Sequence, residues 1–185
     1  RWDEAQWASH QEATRHTTAA YDLAWKFIAD EIRKNGCTTE LAVQNLIMRH
    51  FQRCGMTTYH PPIVAVGPHS GDPHYETGEA EIHVENFVLI DLWAKLDQPR
   101  AVYSDLTRVG YVGTEVPGKY TEIFNIVAQA RDAAISRVQT AFQNGETLQV
   151  PVTCRLDSSE DVSIYEAGGV LQRFAQDFLA ANQSP

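Results

Sequence analysis

The sequence predicts an α+β domain in which helices cover a sheet formed by the middle of the chain. Two amphipathic segments come first, and short β-branched runs broken by Gly, Pro, Asp and His follow from Pro61. A long amphipathic segment then begins after Pro117. The chain has 185 residues, 43% of them hydrophobic, which suffices for one core, so we predict a single domain over 1–185.

The first two predicted helices cover 17–35 and 39–53. In the first, apolar residues recur at helical spacing and Gly36 provides a stop. The second has Thr38 or Thr39 as its N-cap and ends near Gly55. The apolar stripes that should face the sheet are Ala20, Leu23, Ala24, Phe27, Ile28 and Ile32, and then Val43, Leu46, Ile47, His50 and Phe51.

The predicted strands begin with the run IVAV at 63–66, followed by the long polar loop GPHSGDPHYETGE. The segments EIHVENFVLIDLWAKL and RAVYSDLTRVGYVG then indicate two or three more strands, joined by a turn at 97–100. Such a hairpin places Asp91 and Asp105 near each other.

A third helix is predicted over 118–143, with an apolar stripe and a stop at Gly145. The tail contains two strand-like pieces, VPVTCRL and VSIY, and a last amphipathic helix over 169–181. The stripe of the third helix consists of Ile123, Val127, Ala130, Ala134, Val138 and Phe142.

Composition argues against several classes of function. The formal net charge of −9 disfavours broad binding to nucleic acid or to an anionic membrane, because both require clustered Lys and Arg. The three cysteines show no CxxC spacing, which indicates neither a disulfide framework nor a zinc knuckle and favours a reducing cytosol. No apolar run is long enough for a membrane span, and the N-terminus lacks a signal-peptide layout. A cytoplasmic location is the prediction.

Asp91 and Asp105 are the residues of greatest chemical interest. Asp91 closes the apolar run Phe87-Val88-Leu89-Ile90, and a carboxylate near a buried position is costly unless it is paired, hydrogen-bonded or bound to metal. Two such residues on one hairpin favour a shared metal site. The alternative from spacing alone is that Asp91 caps a turn and Asp105 pairs with Arg108.

The succession of the HPPIVAVGPHSGDPHY loop, the IDLWAK and YSDLTR strands and a long helix resembles the creatinase/aminopeptidase family of metallopeptidases. The resemblance covers about Trp2 to Gln149 and is closest to the Xaa-Pro aminopeptidase and prolidase branch. It implies the pita-bread fold, a curved and mainly antiparallel sheet flanked by helices, with the site on the concave face. It also implies a homodimer.

The resemblance further implies a ligand set of two aspartates, one histidine and two glutamates for two divalent ions, Mn, Co, Fe or Zn. Asp91 and Asp105 match the two aspartates, the latter within the specific motif SDLTR. Thr107 and Arg108 are expected to orient Asp105. His74, in DPHY, matches the substrate-side catalytic histidine. Glu160 is the candidate for the last glutamate, and Asp157 is the alternative to it.

Beyond Gln149 the sequence departs from the family pattern. Neither a GHGIG-like strand nor an EPG-like turn, which carry the ligand histidine and the first glutamate in the family, occurs in the sequence. We therefore expect a segment of the usual catalytic domain to be lacking between 149 and 150.

The function implied by the resemblance is that of a metal-dependent Xaa-Pro aminopeptidase or dipeptidase. It would cleave small peptides before proline through a hydroxide activated by two metals. Two alternatives stay open: a non-catalytic relative that binds peptides or acts as a scaffold, and a creatinase-type hydrolase that needs no metal. No nucleic-acid or membrane partner is expected.

Overall fold

A computed structural model describes residues 2–147, together with 149, 162, 163 and 166. It divides into two compact units, Arg1–Phe124 and Asn125–Pro185. The predicted piece VPVTCRL, the helix at 169–181, Asp157, Glu160 and the 149–150 junction with its expected gap lie outside the described residues. Val162 and Ser163, predicted as part of a strand piece, are helical.

Two helices open the first unit. Helix α1 spans Glu4–Asn35 and so begins well before residue 17. A capping box explains this start: the Asp3 side chain accepts a hydrogen bond from the Gln6 backbone, and the Gln6 side chain accepts one from the Asp3 backbone. Gly36 ends α1 in the left-handed conformation, as predicted. Helix α2 spans Glu40–Arg53, and Thr39 caps it.

The part of the chain that the structure describes contains six strands, and every pairing between them is antiparallel. The long strand β5 lies at the centre and pairs with β2, β3 and β6, while β1 pairs with β4. This confirms the prediction of a mainly antiparallel sheet. The strands are β1 Thr38–Thr39, β2 Met56–Thr57, β3 Ile63–Val66, β4 Glu81–Ile82, β5 Phe87–Leu96 and β6 Ser104–Tyr111.

One face of β5 forms the core with helices α1 and α2. Alternate residues of the strand are buried on this face, as expected of a sheet covered on one side. The Tyr21 hydroxyl donates to the Ile90 carbonyl at 3.0 Å and fixes α1 on the strand. The side chains of Asp91 and Trp93 therefore point to the other face. The core includes Ala20, Tyr21, Ala24, Ile28, Val43, Ile47, Phe51, Val88, Ile90, Leu92 and Ala94.

Helix α3 spans Gly118–Asn144 and confirms the long helix predicted there. Its apolar stripe, however, is largely exposed: Val127 retains 62% and Phe142 88% of its accessible surface. Ala141 is buried. Among the helices that the structure describes, none combines the length and apolar character needed to cross a membrane.

Candidate metal centre

The β5–β6 hairpin brings Asp91 and Asp105 together on one face of the sheet. Asp91 lies opposite Thr107, and Asp105 lies opposite Trp93. Residues opposite each other in an antiparallel pair share a face, and diagonal neighbours lie roughly 7–8 Å apart. The two carboxylates are such diagonal neighbours, on the face that points away from the helices. The sequence predicted this proximity, and the strand register accounts for it.

The electrostatics of the pair favour a bound cation. Partial desolvation, and then the nearby Asp91 carboxylate, raise the pKa of Asp105. Burial, and then the same Asp91 charge, raise the pKa of Tyr21, whose hydroxyl donates to the Ile90 carbonyl from the helix side of the sheet. A divalent ion between the two carboxylates would relieve the repulsion that Asp91 exerts on the ionised form of Asp105.

The residues that orient the carboxylates differ from those predicted. Thr107 Oγ1 donates to Asp91 Oδ1 at 2.7 Å, so it orients Asp91 and not Asp105. The guanidinium of Arg108 lies over the Tyr21 ring, 4.7 Å from its centroid, instead of beside Asp105. Successive side chains of a strand point to opposite faces of the sheet, so Arg108 points to the face opposite that of Thr107. This alternation explains both contacts.

A buried glutamate, Glu40, organises the loop between β3 and β4. Its side chain is fully buried at the first position of α2. Oε1 accepts from the Val66 amide at 2.7 Å and from His69 Nδ1 at 3.0 Å. Oε2 accepts from the Tyr75 hydroxyl at 2.7 Å and from the Gly78 amide at 3.3 Å. Four donors and the helix N-terminus together satisfy this carboxylate.

His74 is carried by the loop that Glu40 holds. The residues on both sides of it, His69 and Tyr75, contact the Glu40 carboxylate, and their rings stack with centroids 4.4 Å apart. Burial, and then the hydrogen bond to Glu40, raise the pKa of Tyr75 to about 12, so it stays a donor. His74 itself is exposed, and its amide donates to Asp72 Oδ1 at 2.9 Å.

No hydrogen bond or ion pair among the described residues joins His74 to Asp91 or Asp105. The loop that carries His74 leaves β3 after Val66, whereas Asp91 lies opposite Ile63, at the other end of β3. The fourth predicted residue, Glu160, lies outside the described part of the chain, as does its alternative, Asp157.

Aromatic side chains lie next to the carboxylate pair on the same sheet face. The Trp93 ring, opposite Asp105, lies 5.7 Å from the Tyr59 ring and stacks on the His60 ring at 5.9 Å. Tyr59 is 80% exposed and meets Tyr103 edge-on at 5.9 Å. Trp93 Nε1 is buried and has no hydrogen-bond partner among the described residues.

An apolar pocket of about 300 Å³ lies at the other end of the β5–β6 pair, away from the carboxylates. It has no acidic or histidine side chain in its lining, so it offers nothing to hold a metal. The lining residues are Phe87, Val109, Gly110, Tyr111, Val116, Tyr120, Thr121, Ile123 and Phe124.

Nothing in the sequence singles out Glu40 as part of this region. A glutamate in the first turn of a helix is common, and its usual role is to interact with the helix dipole in solvent. Only the fold shows that this one is buried and accepts hydrogen bonds from residues between 66 and 78.

The comparisons with known proteins agree with this geometry. The sequence profile of metallopeptidase family M24 matches residues 8–149, which is more than half of the chain. This stretch contains Glu40, His74, Asp91 and Asp105.

Solved structures of Xaa-Pro peptidases resemble the fold. An X-Pro aminopeptidase from Thermotoga maritima has a TM-score of 0.61 and 22% identity, covering 71% of this chain and 35% of its own. An Xaa-Pro dipeptidase from Bacillus anthracis has a TM-score of 0.57 and 29% identity, covering 69% and 34%. An X-prolyl aminopeptidase from Caenorhabditis elegans, described as cytosolic with a di-nuclear active site, has a TM-score of 0.54 and 20% identity, covering 63% and 19%. These likenesses identify the pita-bread fold, of which the chain spans a part.

Two curated relatives that match by sequence are named as a dehydratase and a hydratase and not as peptidases. A 2-methylcitrate dehydratase (2-methyl-trans-aconitate forming) from Shewanella oneidensis is 45% identical over 108 residues, 57% of this chain and 11% of its own length. An aconitate hydratase A from Cupriavidus necator is 50% identical over 64 residues, 35% of this chain and 7% of its own. The chain thus spans only a small part of either relative.

Proposed function

We propose, from the premise that the chain belongs to metallopeptidase family M24, that this protein is a metal-dependent peptidase that cleaves small peptides before proline. The observation that carries the proposal is the pair Asp91 and Asp105, which share one face of the β5–β6 hairpin within the matched region. The Xaa-Pro preference is supported by the solved structures that the fold resembles, among them one at 29% identity.

The residues present fit a divalent metal. Two carboxylates lie on one face, Thr107 donates a hydrogen bond to Asp91, and the Asp91 charge disfavours the charged form of Asp105 without a cation. Asp91 and Asp105 would supply oxygen ligands, with Glu160 as a further one, and two ions of Mn, Co, Fe or Zn are proposed. When bound, the metals supply Lewis-acid polarisation of the scissile carbonyl and activation of water.

His74 is proposed as the catalytic side chain on the substrate side. The Glu40 network holds the loop on both sides of it and leaves the imidazole exposed. An imidazole side chain can donate a hydrogen bond or a proton to the leaving amine.

The aromatic side chains next to the pair provide an apolar wall for the prolyl side of the substrate. Trp93 lies opposite Asp105, and the exposed Tyr59 ring lies 5.7 Å from the Trp93 ring. A ring-shaped apolar side chain gains more from packing on aromatic faces than alanine does. This arrangement supports discrimination between Xaa-Pro and Xaa-Ala peptides.

A homodimer and a cytosolic location belong to the same proposal. Trp2 and Trp7 are about half exposed, with ring centroids 6.1 Å apart, and provide an apolar surface for a second copy. Light scattering at several concentrations measures the mass in solution, and a monomer throughout would contradict the pairing.

The test of the activity is hydrolysis of matched Xaa-Pro and Xaa-Ala dipeptides by purified protein of verified intact mass, with Mn²⁺ added. We expect Mn²⁺-dependent cleavage of the Xaa-Pro peptide, its loss in Asp91→Asn and a lowered kcat in His74→Ala. Asp97→Asn, in the exposed turn after β5, is the matched control and should keep activity. Binding of the peptide without cleavage would instead support the non-catalytic alternative.

A second candidate function follows from the 45% identity to the 2-methylcitrate dehydratase. It is dehydration or hydration of a tricarboxylic acid. The same preparation is therefore assayed with 2-methylcitrate and aconitate. Turnover of either, unaffected by Asp91→Asn, would favour this candidate over the peptidase.

A further inference from the structure

We propose a second metal site, separate from the carboxylate pair, in which Glu12 and His16 of α1 and His50 and Cys54 of α2 bind one Zn²⁺ ion. One ligand atom from each of His16, His50 and Cys54 lies within 4.8 Å of the others. The Glu12 carboxylate lies outside this group but is 3.1 Å from His16 Nε2, so a change of its side-chain rotamer would let it supply the fourth ligand. None of these residues takes part in the proposed peptidase chemistry.

The helices supply the ligands in two pairs. Glu12 and His16 are four residues apart on α1, and His50 and Cys54 are four residues apart at the end of α2. Residues at this spacing lie next to each other on one helix face. The two pairs therefore converge where α1 and α2 pack together. Two nitrogens, a sulfur and a carboxylate oxygen are a ligand set that zinc accepts in tetrahedral geometry.

The distances are close to those that zinc needs. With a Zn–S bond of about 2.3 Å and a Zn–N bond of about 2.0–2.1 Å, tetrahedral geometry places sulfur and nitrogen about 3.6 Å apart. Cys54 Sγ lies 4.0 Å from His50 Nδ1, the nitrogen that would bind zinc, and 3.7 Å from His50 Nε2. Small side-chain adjustments bring these atoms to bonding positions.

A backbone carbonyl holds one ligand in the orientation that metal sites use. His50 Nε2 lies 3.1 Å from the His16 carbonyl oxygen, which can only accept a hydrogen bond. The proton is thus on Nε2, and Nδ1, 4.0 Å from Cys54 Sγ, keeps the lone pair that would bind the metal. Metal-binding histidines commonly donate their other ring N–H to a carbonyl in this way.

One cation opposes the site. The Arg15 guanidinium contacts the Glu12 carboxylate and lies 3.1 Å from His16 Nε2. Its side chain is 64% exposed, so it can move into solvent when a metal takes its place. Arg15→Gln should therefore tighten zinc binding. A second cluster, Cys37 with Glu81 and His83, is more exposed, and its cysteine serves as a control.

The experiment is titration of the protein with Co²⁺, a spectroscopic substitute for Zn²⁺, followed by displacement with Zn²⁺. We expect a thiolate-to-cobalt charge-transfer band that saturates at one ion. The band should be lost in Cys54→Ser, and zinc affinity should fall by at least about tenfold in His50→Gln. It should persist in the double variant Cys37→Ser/Cys154→Ser, in which Cys54 is the remaining cysteine.

Asp91→Asn/Asp105→Asn separates this site from the proposed catalytic centre, and the band should persist in it whether or not the peptidase proposal holds. Absence of a thiolate band in the folded wild-type protein, or a band unchanged by Cys54→Ser, would overturn the site. Circular dichroism of each variant shows that it is folded. Zinc should also raise the Tm of the wild type and not that of Cys54→Ser.

Discussion

Asp105 lies beside Asp91 with both carboxylates on one sheet face, and its raised pKa has a consequence for stability. A carboxyl group whose pKa is higher folded than unfolded binds more protons in the native state. The free energy of unfolding then falls as pH rises from the ordinary value of 3.8 through the raised value. At neutral pH, Asp105 therefore destabilises the metal-free fold.

We expect Asp105→Asn to stabilise the metal-free protein at pH 7. Near pH 3 it should have little effect, because the carboxyl is then largely protonated in both the folded and the unfolded state. Urea unfolding at the two pH values measures this difference, with Asp97→Asn as the control for removing one negative charge. If Asp105→Asn instead destabilises the protein at pH 7, the Asp105 carboxylate makes favourable contacts in the metal-free fold, which would contradict a strained metal-binding pair.

Thr107 provides a second test at the residue scale, because its hydroxyl donates to Asp91 at 2.7 Å. Thr107→Val keeps the shape and removes the donor. Loss of such an orienting hydrogen bond costs about 10–100-fold in metal affinity in known sites. Calorimetric titration with Mn²⁺ should show a weakening of this order, while Thr114→Val, in the exposed connection after β6, should bind as the wild type does. Equal affinities would remove Thr107 from the site.

At the scale of elements, Glu40 links α2, β3 and the loop that carries His74. Glu40→Ala leaves two backbone amides and two side chains without their acceptor, and each buried unpaired group costs about 1–3 kcal/mol. We expect faster hydrogen exchange of amides between 66 and 80, with the β5–β6 amides unchanged, and a lower kcat on the Xaa-Pro peptide.

Glu79→Ala, an exposed acid in the same loop, is the matched control for Glu40→Ala. Tyr75→Phe removes a single donor and should give an intermediate exchange rate. If exchange in the loop stays at the wild-type rate in Glu40→Ala, the glutamate does not position His74. If exchange rises throughout the first unit, its role is general stability of the fold.

The elements also show what the sequence could predict. The ends of α2 and the pairing of β5 with β6 were predictable, because N-cap, stop and alternation signals are local. The start of α1 was predicted wrongly, since its first turns bury small and polar side chains. Ser9 accepts a hydrogen bond from the Val102 amide, and Thr17 bonds to Ser104, so an apolar stripe is lacking there.

At the scale of the whole molecule, the proximity of Asp91 and Asp105 was predictable because both residues lie on strands joined by a short turn. Glu40 and the His50–Cys54 pair were not, because their contacts join residues far apart in the chain or depend on how two helices pack. The exposed apolar stripe of α3 likewise could not be predicted from the sequence. Helical periodicity identifies an apolar face, but it does not say what that face packs against.

The central claim is that Asp91 and Asp105 together hold divalent metal, and Mn²⁺ binding measured by electron paramagnetic resonance tests it most directly. Manganese prefers oxygen ligands and so reports on the carboxylates more than on the thiolate site. The account predicts bound Mn²⁺ in the wild type and its loss in Asp91→Asn and in Asp105→Asn, with Cys54→Ser unchanged. Mn²⁺ binding that survives both aspartate substitutions, or no binding by the folded wild type, would contradict it.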